Sequence, residues 1–257
     1  MSFSAEWLDL RDPADRAARD PGLAAAAAQW LGSGLAVDLG SGTGATVRAM
    51  PEGPHWRLVD LDAGLLAEAR ARFPGVATVE ADLADVAALP LADARMATCS
   101  ALLDLGSAAW LEALAARIAG LGLGLYAALS YDGRMAWDPA LAEDAAVTAA
   151  FNADQRRDKG LGPALGPDAA LVAARLFAGH GYEVRLAQSP WRLGPEQAAL
   201  QAELVAGIAA ATGAEAWGQA RRAACLSTAC EVGHWDLLAL PARGASAQSK
   251  TTSVSRP

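Results

Sequence analysis

The stretch Val37-Asp38-Leu39-Gly40-Ser41-Gly42-Thr43-Gly44 constrains the fold of this chain more than any other. The run 34–39 is apolar apart from Asp38 and reads as a buried strand, and the glycines then turn the backbone into a helix over about 43–50. Glycines at such a turn let backbone amides approach a ligand closely, and the free N–H groups of the helix start point at it. A strand, a glycine turn and a helix in that order belong to chains whose strands alternate with crossover helices around a mostly parallel sheet. The loop alone leaves its ligand open, because Gly40, Gly42 and Ala45 also satisfy the dinucleotide pattern G-x-G-x-x-G/A.

The rhythm continues along the chain. Further strands are predicted at 55–60, 76–80, 94–100, 123–131, 182–188 and 232–240. Helices are predicted at 13–31, 63–73 and 107–119, the last with Trp110, Leu111, Leu114 and Ile118 on one face. Beyond the fifth strand, 138–159 reads as a polar helix, Asp168 as the cap of a helix to His180, and 195–212 and 214–227 as two more helices. The tail 243–257 lacks an apolar pattern and is expected to be disordered.

Composition narrows the function. With 29 acidic against 21 basic residues the chain carries a net charge of −8 and shows no basic cluster, so a nucleic-acid partner is not expected. The first twenty residues hold acids and arginines with no apolar segment behind a basic start; neither export nor membrane anchoring is expected, and the cytoplasm is the expected location. Three cysteines and three histidines have no metal-type spacing, so no metal is indicated. Alanine supplies about a quarter of the residues, well above ordinary usage. Lysine occurs only at Lys159 and Lys250.

Three carboxylates separate the readings of the glycine loop. Asp38 stands two residues before Gly40, placed for a ligand ammonium. Asp60 ends the second strand about twenty residues further on, placed for ribose hydroxyls. Asp82 follows the third strand in Glu80-Ala81-Asp82-Leu83, where a carboxylate can accept from an adenine amine. With these residues the sequence resembles the class I S-adenosylmethionine-dependent methyltransferases over roughly 35–240, in their D-x-G-x-G-x-G loop, the acid ending strand two and the acid-apolar pair after strand three. The resemblance implies one Rossmann-like α/β domain over 1–242, with a seven-stranded sheet, mostly parallel with an antiparallel seventh strand, and helices on both faces. It implies S-adenosylmethionine as cofactor, held by Asp38, Gly40, Ser41, Gly42, Gly44, Asp60, Leu61, Asp82, Leu83 and Ser100. An NAD(P)-dependent oxidoreductase would also use Asp60 but gives Asp38 and Asp82 no role. A non-catalytic S-adenosylmethionine-binding protein stays open as well.

Ligands of open α/β sheets sit at the carboxyl ends of the strands. His55 and His180 fall at the opposite edge, whereas His234, at the start of an antiparallel seventh strand, falls on the ligand side. Asp104 after strand four and Tyr131 at the end of strand five join His234 as candidates for positioning or deprotonating an acceptor. The Asn/Asp-Pro-Pro-aromatic motif of amino-methylating relatives is missing from Ser100-Ala101-Leu102-Leu103-Asp104, which slightly favours O- over N-methylation. Tyr131-Asp132-Gly133 lacks the asparagine of a catechol-type magnesium site.

Segments 132–167 and 189–231 read as insertions that form a lid, and 1–32 as a helical cover in which Arg11 or Arg19 meets the methionine carboxylate. Bulky elements there suit a small-molecule acceptor. In the first insertion Asn152, Gln155 and Lys159 are spaced to share a helix face and are candidate acceptor ligands. Oligomeric state is left open.

Overall fold

The computed structural model describes residues 4–242, so the tail 243–257 lies outside the described residues. Two helices, α1 (Ala5–Ala18) and α2 (Pro21–Leu31), stand where the sequence suggests one. The break follows from local chemistry: Asp20 accepts from the Leu23 N–H at 2.7 Å and Pro21 occupies the first helical position, so a new helix starts there.

Then follow β1 (Leu35–Leu39), α3 (Ala45–Ala49), β2 (His55–Asp60), α4 (Ala63–Arg72), β3 (Ala77–Glu80), β4 (Met96–Ser100), α5 (Ala108–Leu121) and β5 (Gly124–Asp138). The second half holds α6 (Asp144–Gln155), α7 (Ala169–Gly179), β6 (Tyr182–Gln188), β7 (Trp191–Leu193), α8 (Ala198–Thr212), α9 (Glu215–Ala224) and β8 (Ala229–Pro241). The sheet runs β3-β2-β1-β4-β5-β8-β6, with β7 paired on β8. Strands β1 to β5 pair in parallel, and β8 runs antiparallel to both β5 and β6.

Successive strand residues face opposite sides, which divides the core. Val37, Leu39, Cys99, Leu125 and Ala127 pack under α5 and α7 against Leu111, Ile118 and Phe177. Ala36, Met96, Tyr126 and Ala128 pack under α2 against Leu23 and Leu31. A satellite cluster of Tyr131, Trp137, Val147, Trp191, Val205 and Trp217 joins α6, α8 and α9 to the far ends of β5 and β8. No helix among the described residues is long and apolar enough to cross a membrane.

Three expectations need correction. The sheet has eight strands, because Trp191-Arg192-Leu193 pairs with Val232, Glu231 and Cys230 inside the segment read as the second insertion. The first insertion starts later than 132, because β5 continues to Asp138 and Met135–Asp138 pair with Val232–Ala229 as an arm beyond the sheet. Asp168 has helical backbone and no capping bond; its carboxylate instead pairs with Arg156 at 2.8 Å.

Candidate active site

A cavity of about 590 Å³ opens at the carboxyl ends of β1, β2 and β4 and is roofed by α1. Of the donor residues expected from sequence, Asp38, Gly40, Ser41, Gly42, Asp60, Leu61 and Ser100 line it. Asp38 is 1% exposed, and its Oδ1 accepts from Thr98 Oγ1 at 2.7 Å. Burial pushes its carboxyl up to about 6. Asp60 organises the glycine loop: Oδ2 accepts from the Gly42 N–H at 2.7 Å and Oδ1 from the Asp62 N–H at 3.0 Å. Leu61, 63% exposed, offers apolar surface at the mouth.

Gly44, Asp82 and Leu83 are not among the lining residues. Asp82 is exposed, and its Oδ1 accepts from the Ala84 N–H at 2.8 Å in a local turn. Leu83 is buried, and its carbonyl accepts from Trp110 Nε1 at 2.7 Å. Gly44 serves packing: its φ is +86°, and an added Cβ would come within 2.6 Å of the Phe73 ring. Gly44→Ala is expected to cost about 2–4 kcal/mol from the left-handed backbone plus overpacking. Thermal melting checks this, and an unchanged melting temperature would refute the packing role.

Sequence reasoning read the charges of α1 as a cover without seeing how it is held. Leu8 packs onto the loop, its Cδ1 2.9 Å from where a Gly42 Cβ would stand. Asp12 binds Arg48 at 2.8 Å and Arg16 at 3.0 Å, Asp15 binds Arg11 at 2.9 Å, and Asp9 pairs with Arg72 of α4. Trp191 Nε1 donates to Asp15 Oδ1 at 2.9 Å, which ties α1 to β7. Arg19 is buried; its Nη2 donates to Ser100 Oγ at 3.0 Å, while Nε and Nη1 have no protein partner.

Asp236 is a second residue that sequence did not single out. Fully buried, it accepts from the Asp20 N–H at 2.9 Å and the Leu129 N–H at 2.8 Å. It thereby fixes the start of α2 and a leucine held at φ +57° in the irregular stretch of β5. Ala101, which lines the cavity after β4, also has left-handed backbone, at φ +50°. Two non-glycine residues in this region, both beside one site, mark backbone strained by its surroundings.

The structure brings the three candidate acceptor groups together. Tyr131 and His234 are register partners on β5 and β8, with ring centroids 6.3 Å apart. Asp104 sits in a single 3-10 turn (Leu103–Leu105) and takes a hydrogen bond from the Tyr131 backbone. Burial pushes Asp104 up to about 6, and its Oδ1 has no protein partner. Burial, helped by the Arg11 charge, pushes His234 down to about 3, so the ring is neutral, and its Nδ1 is likewise unpartnered. Burial raises the Tyr131 phenol above its ordinary value; its hydroxyl donates to Asn152 Oδ1 at 2.8 Å.

Of the proposed acceptor ligands on the first insertion, only Asn152 reaches this cluster; its Nδ2 donates to the Gly133 carbonyl at 2.9 Å. Helix α6 ends at Gln155, so Lys159 shares no helix face with Asn152, contrary to the spacing argument. Lys159 Nζ is neutralised by Asp154 at 2.8 Å, and the Gln155 backbone packs against Gly166. His55 and His180 are exposed and away from the cavity lining.

No protein-family model and no curated protein matches this chain by sequence. Solved structures do match. One is a candidate methyltransferase of Bacillus halodurans, 14% identical, covering 84% of this chain and 96% of its own, with TM-score 0.50. The chain has a class I methyltransferase fold. The same fold likeness extends to the YcgJ protein of Bacillus subtilis, 11% identical over 86% of this chain and 97% of that one, at TM-score 0.53. A third match comes from work on conversion of a disulfide bond into a thioacetal group in echinomycin biosynthesis: 18% identity, 88% and 84% coverage, TM-score 0.50. Within this methyltransferase fold the cavity lies at the strand ends where open α/β sheets bind ligands.

Proposed function

We propose that the chain transfers a methyl group from S-adenosylmethionine to a small-molecule acceptor. The observation that carries this reading is the pairing of Asp38 and Asp60 on either side of the glycine loop, both facing one cavity. When bound, S-adenosylmethionine supplies a methyl already activated on a sulfonium, so the chain's task is alignment and exclusion of water. The donor's ammonium would find a complement in Asp38, a buried carboxylate at the cavity wall, and Arg19 adds positive charge behind Ser100 without lining the cavity itself. Asp60 would accept from the ribose hydroxyls while it holds Gly42, and Leu61 would offer apolar surface to the adenine. Asp104, Tyr131 and His234 do not line this cavity; they form a buried cluster beside it that we assign to the acceptor. Helix α1 roofs the cavity through Leu8, Arg11 and Asp15, an enclosure that fits a small acceptor better than a polymer.

Asp60→Ala is the test. The loss of even one charge-assisted hydrogen bond, worth about 1.5–3 kcal/mol, is expected to weaken S-adenosylhomocysteine binding by at least about 10- to 100-fold by titration calorimetry. Unchanged affinity in a folded variant overturns the donor assignment. Titration with NADH in parallel is expected to give no heat; saturable NADH binding would favour the oxidoreductase reading.

A further inference from the structure

Arg11 holds a place that its own helix does not require. Its guanidinium binds Asp15 through Nε at 2.9 Å and Nη2 at 3.1 Å, lies 5.0 Å from the Trp191 ring centroid, and lines the cavity at its acceptor end. Trp191 stands 5.3 Å from His234, which stands 6.3 Å from Tyr131. Next to them Asp104, 6% exposed, keeps Oδ1 unpartnered, and His234, also 6% exposed, keeps Nδ1 unpartnered. A carboxylate together with an indole face is the arrangement that binds an organic cation. The charges agree: Asp15 and Asp104 outnumber Arg11, and His234 adds none, so the cluster disfavours an anionic acceptor and suits a positive one once the guanidinium has moved aside.

We propose that the acceptor is an amine, bound as its ammonium in the place now filled by the Arg11 guanidinium, between Asp15 and Asp104 and against the Trp191 face. This assignment rests on the methyl-transfer reading above. Arg11 is then a stand-in whose side chain swings out when the acceptor enters, while α1 stays tied through Asp12 and Asp15. Asp104 takes a proton from the ammonium; burial makes it a better base than an exposed carboxylate. The freed nitrogen lone pair forms the bond to the methyl carbon as the methyl–sulfur bond breaks, and that electron pair stays on sulfur. The product leaves as the N-methylammonium, and the proton on Asp104 passes to water. The missing Asn/Asp-Pro-Pro-aromatic motif is no obstacle, because it bears on nucleobase and glutamine amines rather than alkylamines.

Benzylamine, benzyl alcohol and benzoate share one shape and differ in charge. Their binding to the chain saturated with S-adenosylhomocysteine is to be measured by calorimetry for wild type, Arg11→Met and Asp104→Asn. Benzylamine is expected to bind wild type about tenfold more tightly than benzyl alcohol, and Arg11→Met another tenfold more tightly as the box empties. Asp104→Asn is expected to erase the preference for the amine. Preference for benzoate that disappears in Arg11→Met would make Arg11 an anion hook and overturn the proposal. Equal binding of all three, or weaker benzylamine binding in Arg11→Met, overturns it too. If Asp104→Asn does not fold, the Arg11→Met result decides alone. Failure of S-adenosylhomocysteine itself to bind wild type overturns the donor reading, whereas binding without amine preference overturns only the acceptor class.

Discussion

Asp38→Asn is expected to weaken S-adenosylhomocysteine binding by at least about 30-fold, since losing one partner of a buried charge pair costs about 2–5 kcal/mol. Mild acid is expected to do the same to wild type by degrees. Burial raises Asp38 to about 6, so below that pH the free protein increasingly carries a neutral carboxyl that no longer attracts the ligand ammonium. Affinity then falls by up to tenfold per unit of pH. Stability moves the other way. A carboxyl whose folded value exceeds its unfolded value lets the folded state hold the extra proton, so its contribution is fully present below the unfolded value, near 4, and is lost as pH rises through 6. Asp104 is displaced in the same direction, to about 6, and Asp236 is raised as well, each chiefly by burial. Calorimetry from pH 8 to 5, with a melting curve at each pH, therefore separates loss of the site from loss of the fold. An affinity that stays flat over that range in wild type would remove Asp38 from the ammonium. The hydrogen bond from Thr98 lowers Asp38, so Thr98→Val is expected to shift the midpoint upward.

The cavity lining at the strand ends was legible because it is local. Asp38, the glycines and Asp60 sit on strand ends whose apolar runs announce them, and a parallel sheet delivers successive strand ends to one edge. Asp82 shares that pattern, but it stands outside the cavity lining with Oδ1 on the turn that follows it, which periodicity does not reveal. The roof was less legible. On α1, Asp12 and Asp15 look like a solvated face, yet they are 8% and 3% exposed because Arg48 and Trp191 reach them from distant parts of the chain. The strand β7 is only three residues long, too short for an alternation to register, and it forms because β8 offers it an edge. Lys159 stood out through scarcity of lysine alone. Its partner Asp154, five residues earlier, neutralises it at the helix end.

Arg221→Met is expected to cost about 3–5 kcal/mol of stability, the usual result of stripping one partner from a buried ion pair. Arg221 is 2% exposed, and Nε donates to Asp144 Oδ1 at 3.1 Å, Nη1 to the Pro139 carbonyl at 2.8 Å, and Nη2 to Asp144 Oδ2. Its guanidinium also lies 4.8 Å from the Trp137 ring centroid, and Trp217 Nε1 donates to Asp144 Oδ1 at 2.8 Å. These bonds fasten the start of α6 to α9, so one side chain joins the two segments. Methionine keeps much of the volume but leaves Asp144 with a charge its remaining donors, Trp217 and the Leu141 N–H at 2.7 Å, only partly satisfy. The double change Arg221→Met with Asp144→Leu is expected to be milder than the single one, because it removes the stranded charge along with its partner. In a chain of this size the single substitution corresponds to a drop in melting temperature of roughly 6–20 °C. A cost below about 1 kcal/mol would show that the pair is not what holds the two segments together. Donor affinity is expected to stay within about twofold of wild type, since no residue of this pair lines the donor cavity. Amine binding should weaken by more than that, because Trp137 and Trp217 belong to the same packed cluster as Trp191 and Tyr131.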